Sequence, residues 1–237
     1  MIHENYLFRK KRLLKDFEKS LSRVKLSLFT WLGEEQAWRL IRESRQEYEI
    51  LIPRIPFIGS KNPLLVFLLP TTRYLAVYRA LQRQGLTIED ARNLLLEIGT
   101  EEIRAIPLIA RRFITYLWFS QWFVNRIKKG AINSQKREYS GNYVLIFVEG
   151  DGQEFDYGVD YIECASCKLL EAEDALELAP YACVVDKTAS ELMGWGLKRT
   201  MTLAEGSHKC DFRFKKGGGT YVVLPQLFQA HNGSRPI

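Results

Sequence analysis

The sequence predicts an α+β fold: a helical N-terminal half packed on a small antiparallel sheet, with interleaved helices in the C-terminal half. Two observations carry this expectation. Up to about residue 130 the apolar residues recur at helical spacing, and from about residue 139 the period changes to two. Helices first and strands afterwards, with few strands to hide a sheet, is the order of an α+β chain rather than of a parallel α/β one. At 237 residues the chain is long enough to bury a core, and it reads as one fused unit over 1–237, helical over 1–130 and α+β over 139–225.

Taken in order, residues 4–32 place Leu7, Leu13, Leu14, Phe17, Leu21, Val24 and Leu28 on one helical face, with Gly33 as a stop. Residues 34–50 form a second helix whose acidic first turn suits the helix dipole. Pro53, Pro56 and Pro63 make the next stretch a loop. A helix over 64–84 contains Pro70 as a kink or break, and Gly85 ends it. Thr87 with Asp90 three residues on resembles a capping box and opens a helix over 88–98. A further helix runs from Thr100 to about residue 129, with Pro107 near its start and an aromatic stripe (Phe113, Tyr116, Trp118, Phe119, Trp122, Phe123) that reads as core or as the lining of a pocket. The polar segment from 128 to 142 connects the halves.

Beyond it, 143–148 is a strand, Asp151-Gly152 a turn, and 155–162 a second strand with Phe155, Tyr157, Val159 and Tyr161 on one face. Short helices follow over 164–171 and from Pro180 to 193. Residues 198–203 and 209–215 pair as strands, and 221–224 is the last strand, before a tail expected to fray after 229.

With 46% apolar and 26% charged residues the composition is that of an ordinary globular chain, which excludes wholesale disorder. Basic residues crowd the first helix, but no zinc-finger spacing or single-strand-binding motif accompanies them, so nucleic acid is not expected as a partner. The opening MIHENYLFRKK lacks an apolar central region, and the two most apolar stretches are interrupted by Pro70 and Arg73 and by Arg111 and Arg112. Neither a signal peptide nor a membrane span is expected, and a cytoplasmic setting with reduced thiols is. Self-association into a homo-oligomer is compatible with the sequence.

Groups able to do chemistry concentrate between residues 154 and 215. Cys164-x-x-Cys167 sits between a strand and a helix, where a helix N-terminus would lower a thiol pKa. With Cys183 and Cys210 it would make half of a zinc pattern, but those two are isolated, so no metal and no other cofactor is expected. A thioredoxin-like role lacks its βαβ context. Cys183 and Asp186 lie three apart on a helix and share a face. On the strand KCDFRFK, Cys210 alternates inward with Phe212 and Phe214, while Asp211 and Arg213 share the opposite face and either pair or point at a ligand. The neighbouring strand carries Arg199 on one face and Thr200 on the other. No histidine is well placed as a base, so carboxylates beside the cysteines (Glu163, Asp186, Asp211) are the acid–base candidates.

Three spaced blocks, FDYGVDYIECASCK, LAPYACVVD and GLKRTMTLAEGSHKCDFRFK, resemble the L-2-amino-thiazoline-4-carboxylic acid hydrolase family. Glu163, Cys164, Pro180, Cys183, Asp186, Arg199, Thr200, Leu203, Gly206, Cys210, Asp211, Phe212 and Arg213 carry the likeness, which spans residues 139–215. The resemblance implies a hydrolase that opens a cyclic isothiourea toward a carbamoyl-cysteine. Its small acidic substrate would draw its catalytic groups from Cys183, Asp186, Cys210, Asp211, Cys164 and Glu163. Arg199, Arg213 and Thr200 would bind that substrate. Which cysteine acts stays open. A fainter likeness to 4-vinyl-reductase-type domains implies the alternative of a non-catalytic small-molecule-binding or sensor module.

Overall fold

The computed structural model describes residues 4–224 and divides the chain into two compact units. The first comprises residues up to 107 with 137–143 and 164–182; the second comprises 108–136, 144–163 and the chain from 183 onward. The tail after 229 lies outside the described residues.

The first unit is helical. After a 3-10 turn, α1 (Lys10–Arg23) and α2 (Lys25–Leu32) divide the single helix expected over 4–32, the break falling at Val24. Helix α3 (Glu34–Leu51) packs along α4 (Leu65–Arg83), and α5 (Ile88–Arg104) closes on α1 and α4. Leu13, Leu14, Phe17, Leu21, Val24 and Leu28 are all buried, as their spacing requires. Pro70 lies inside α4 without ending it. The carbonyl it cannot serve is that of Val66, whose side chain is exposed at the start of the helix, so the lost bond falls near solvent. Thr87 and Asp90 form both bonds of a capping box, and α5 continues six residues past the expected end at 98. The short α8 (Ala165–Ala172) packs on α4, and α9 (Ala179–Met193) begins here and continues into the second unit.

The second unit holds the sheet. The helix expected over 100–129 is instead two helices here, α6 (Leu108–Trp118) and α7 (Gln121–Ser134), because Ser120 turns the chain and caps α7 through the Phe123 N–H. The strands are β1 (Val144–Glu149), β2 (Tyr157–Glu163), β3 (Leu197–Arg199), β4 (Cys210–Phe214) and β5 (Tyr221–Val222), in the order β1-β2-β4-β3-β5. The α+β class stands, but the sheet is mixed: β5 runs parallel to β3, whereas the other pairs are antiparallel. The strand expected over 198–203 is also short, because after Arg199 the chain leaves the ladder for a 3-10 turn at Leu203–Glu205, which Gly206 closes at φ +80°.

Register divides the sheet into two faces of different chemistry. Tyr157 lies opposite Phe214, Val159 opposite Phe212 and Tyr161 opposite Cys210, so these six share one face. Tyr157, Leu197, Phe214 and Val222 form its buried centre, with Trp118, Phe119, Val124, Ile127, Phe147 and Trp195 packed against it. Trp118 stacks on Trp195 at 4.5 Å between ring centroids. The aromatic stripe of α6 and α7 is therefore core at Trp118 and Phe119, whereas Phe113, Tyr116 and Trp122 are exposed.

The opposite face is ionic. Asp160, only 7% exposed, accepts from Lys209 Nζ and from Arg213 Nη1, each at 2.7 Å. Arg213 reaches it by lying across Gly158. A Cβ there would fall 2.7 Å from Arg213 Cδ and 2.8 Å from the Phe212 carbonyl oxygen. Burial pushes the Asp160 carboxyl up, but the bonds and charges of Arg213 and Lys209 outweigh it and hold it below the usual carboxylate range. A depressed pKa means stability that is present above the ordinary aspartate value of about 3.9 and is lost as pH falls through the lower folded value. Asp160→Asn is expected to cost about 3 kcal/mol at neutral pH, since it strands two cations. It should also flatten the acid limb of a stability-versus-pH profile measured by urea melts. An unchanged acid limb would show that this carboxylate is not held by its partners.

Candidate functional site

Arg199 is the last residue of β3 and lies on the aromatic face of the sheet. It is 0% exposed, the largest of the fully buried side chains among the described residues. Its Nη1 donates to the Cys183 carbonyl oxygen at 2.9 Å and to Asp186 Oδ2 in a close ion pair. Its guanidinium carbon lies 5.8 Å from the centre of the Phe212 ring. Nε and Nη2 are buried and have no hydrogen-bond partner among the described residues. A fully buried guanidinium with two unanswered nitrogens is costly, and an Nε–H and an Nη2–H on one edge fit the two oxygens of a carboxylate.

The sequence builds this arrangement from two elements. Strand alternation sends Leu197 and Arg199 to the aromatic face and Lys198 and Thr200 to the other. Helix α9 runs with Cys183 and Asp186 one turn apart, so the carbonyl of the first and the carboxylate of the second meet the same nitrogen. The Asp186 side chain keeps 24% of its surface exposed. Burial raises its carboxyl above the usual carboxylate range, and Arg199 offsets this only in part. A carboxyl raised above its ordinary range beside a fixed cation is the kind of group found at functional sites.

The other candidates separate into distinct settings. Cys210 is 7% exposed on the aromatic face, where its sulfur accepts from the Leu203 N–H at 3.2 Å. Asp211, on the ionic face, does not pair with Arg213. Its Oδ1 accepts the N–H groups of Thr200 and Met201, both at 2.8 Å, and its Oδ2 accepts the Thr200 hydroxyl at 2.6 Å. Asp211 and Thr200 thus hold the chain where it leaves β3, while Arg213 is committed to Asp160. Glu163 ends β2 opposite Val144, where the β1–β2 register shifts.

Cys164 and Cys167 belong to the first unit, whereas Cys183 and Cys210 belong to the second. Cys164 is the N-cap of α8 but makes no side-chain cap bond. Hydrogen bonding from Cys167, rather than the helix N-terminus alone, is the leading reason its thiol stands below the ordinary cysteine range, against burial, which pushes it up. Among the described residues no group of three or more His, Cys, Asp or Glu side chains converges as a metal site, and all four cysteines are thiols.

Sequence reasoning passed over Asp160, the most enclosed carboxylate of the sheet. The available signal was an aspartate inside a strand, two residues after a glycine, where the strand-forming neighbours leave no room for a turn.

Comparison with known proteins bears on this same region. The sequence profile of the L-2-amino-thiazoline-4-carboxylic acid hydrolase family matches residues 116–214, from the last turn of α6 to the end of β4. No curated protein and no solved structure matches the chain. The matched segment contains all nine candidate residues, from Glu163 to Arg213. The family read from the three motif blocks is thus supported independently, and over residues 116–214 the chain carries the L-2-amino-thiazoline-4-carboxylic acid hydrolase family pattern.

Proposed function

We propose that this chain is a hydrolase or ring-processing enzyme acting on a small acidic heterocycle, with its substrate seated at Arg199. The carrying observation is that two buried nitrogens of that guanidinium, Nε and Nη2, meet no acceptor among the described residues. A carboxylate accepting from both would satisfy them and would add the strength of a charge-assisted, two-pronged contact. The name of the matching family supports the rest of this reading, in which the substrate is a thiazoline ring whose reacting carbon sits between sulfur and nitrogen.

Ring opening needs water to add at that carbon, a base to take its proton, and a proton for the departing ring atom. Asp186 is the reading's proton carrier, because burial raises its carboxyl toward the working range while Arg199 keeps it oriented. Cys183, one helical turn earlier, is the reading's nucleophile or its second proton donor. Cys210, Asp211, Thr200 and Arg213 take positioning roles, since each already has a structural partner. Cys164 and Glu163 are not needed for these steps.

The test is incubation of 2-aminothiazoline-4-carboxylate with the full chain, following ring opening by loss of ring absorbance and release of product. Turnover is expected. Asp186→Asn should lower kcat by about two orders of magnitude. It should also lower the melting temperature, because Arg199 loses its counter-charge, so kcat is compared at a temperature where the variant is folded. The acid limb of the wild-type kcat/KM profile should lie above the ordinary aspartate range and vanish in this variant. Cys210→Ser should lower stability while leaving kcat within about threefold. Binding of the compound without turnover, in wild type and variants alike, would replace this reading with that of a non-catalytic binding module.

A further inference from the structure

Between residues 108 and 136 the chain has six lysines and arginines and no aspartate or glutamate. This is the segment that forms α6 and α7. The inner side of the pair is spoken for: Arg111 donates to the Leu192 carbonyl oxygen at 3.3 Å, Thr115 to that of Met193, and Trp118, Phe119, Val124 and Ile127 pack on the sheet. The outer side is apolar instead of polar. On α6, Leu108, Ile109, Arg112, Phe113 and Tyr116 are exposed, and their spacing is that of a single helical stripe. Ile109 is 82% exposed and Phe113 60%. On α7 the stripe continues with Trp122, 66% exposed, whose ring carries the Arg126 guanidinium at 5.9 Å. Scattered exposed hydrophobics are ordinary, but six large ones along two consecutive helices, Ile132 of α7 included, are not.

We propose that this face of α6 and α7 docks on an anionic lipid surface. Apolar and aromatic side chains on one stripe, with arginine and lysine beside them, are the composition of a helix that lies in the plane of a membrane interface. Tyr116 and Trp122 have the amphipathic rings that settle at headgroup depth, and Arg112, Arg126 and Lys129 are exposed and able to meet lipid phosphates. No helix among the described residues is long and apolar enough to cross a membrane, so the contact would be a surface one. The charge pattern favours a bilayer over a second copy of this chain. A two-fold pairing would bring the same cationic face against itself, with no carboxylate in the segment to meet Arg112, Arg126 or Lys129. Exposed leucine and isoleucine among the bases favour lipid over a polyphosphate chain, which offers them nothing.

Sedimentation of the full chain with vesicles tests this. Phosphatidylcholine vesicles would be compared with vesicles containing about one-third phosphatidylserine, at low salt. The protein is expected to partition to the anionic vesicles at least about tenfold more strongly, with a blue shift of tryptophan emission. Phe113→Ser combined with Trp122→Ser should weaken binding to those vesicles about tenfold, and Arg112→Glu combined with Arg126→Glu should erase the preference for phosphatidylserine. Because all four side chains lie on the surface, the variants should keep the wild-type melting temperature, which separates lost docking from lost folding. Equal or absent binding to the two vesicle types would overturn the proposal. So would concentration-dependent dimerisation in lipid-free buffer that Phe113→Ser with Trp122→Ser abolishes, which would make the face a contact between copies.

Discussion

A fully buried guanidinium has to be answered by acceptors or it destabilises the fold that contains it. Arg199 is answered on one nitrogen, by the Cys183 carbonyl oxygen and the Asp186 carboxylate, and that contact joins the end of β3 to α9 within the second unit. Desolvating the pair costs more than an apolar pair in the same place would. A chain that keeps it, and leaves Nε and Nη2 without an acceptor among the described residues, gives up stability at this point. Sites that bind charged ligands are where that loss has a return, because the ligand completes the hydrogen bonding.

The two faces of the sheet show the contrast. On the ionic face Asp160 is matched by Arg213 and Lys209, and Asp211 by Thr200 and Met201, so each buried or half-buried carboxylate finds its donors inside the protein. Such completed networks hold strands in register and offer a ligand little. On the aromatic face the charged group left incomplete among the described residues is Arg199, beside a carboxyl that burial pushes upward; the indole N–H groups of Trp118 and Trp195 are also without partners there, but they carry no charge. The same residue types therefore do different work according to which side of β3 and β4 they leave, and a one-residue shift of register would exchange the two chemistries.

Much of this was legible in the sequence. Alternation placed Cys210, Phe212 and Phe214 on one face and Asp211 and Arg213 on the other, and the i, i+3 spacing put Cys183 and Asp186 together. The capping box at Thr87 marked the start of α5. What alternation cannot supply is which partner a charged side chain reaches. Arg213 passes over Asp211, its neighbour in sequence, for Asp160, because Gly158 leaves a channel across β2. The shortness of β3 has the same kind of cause: Asp211 captures the N–H groups of Thr200 and Met201, so those residues turn away from the ladder. The parallel pairing of β5 depends on where the chain goes after β4, which no periodicity within the strands records. The division of α6 from α7 was marked by Ser120, but the aromatic run on both sides of it reads as one continuous helix.

Binding of the carboxylated thiazoline, compared with the same ring lacking its acid group, bears most directly on whether Arg199 is a ligand's partner or merely a costly piece of core. Titration calorimetry of the full chain with both compounds measures it. The acid should bind at least about tenfold more tightly than the analogue, and Arg199→Met, verified as folded by its circular dichroism, should bind the two equally. Equal affinities in the wild-type chain, or a preference for the acid that survives in Arg199→Met, would contradict the account.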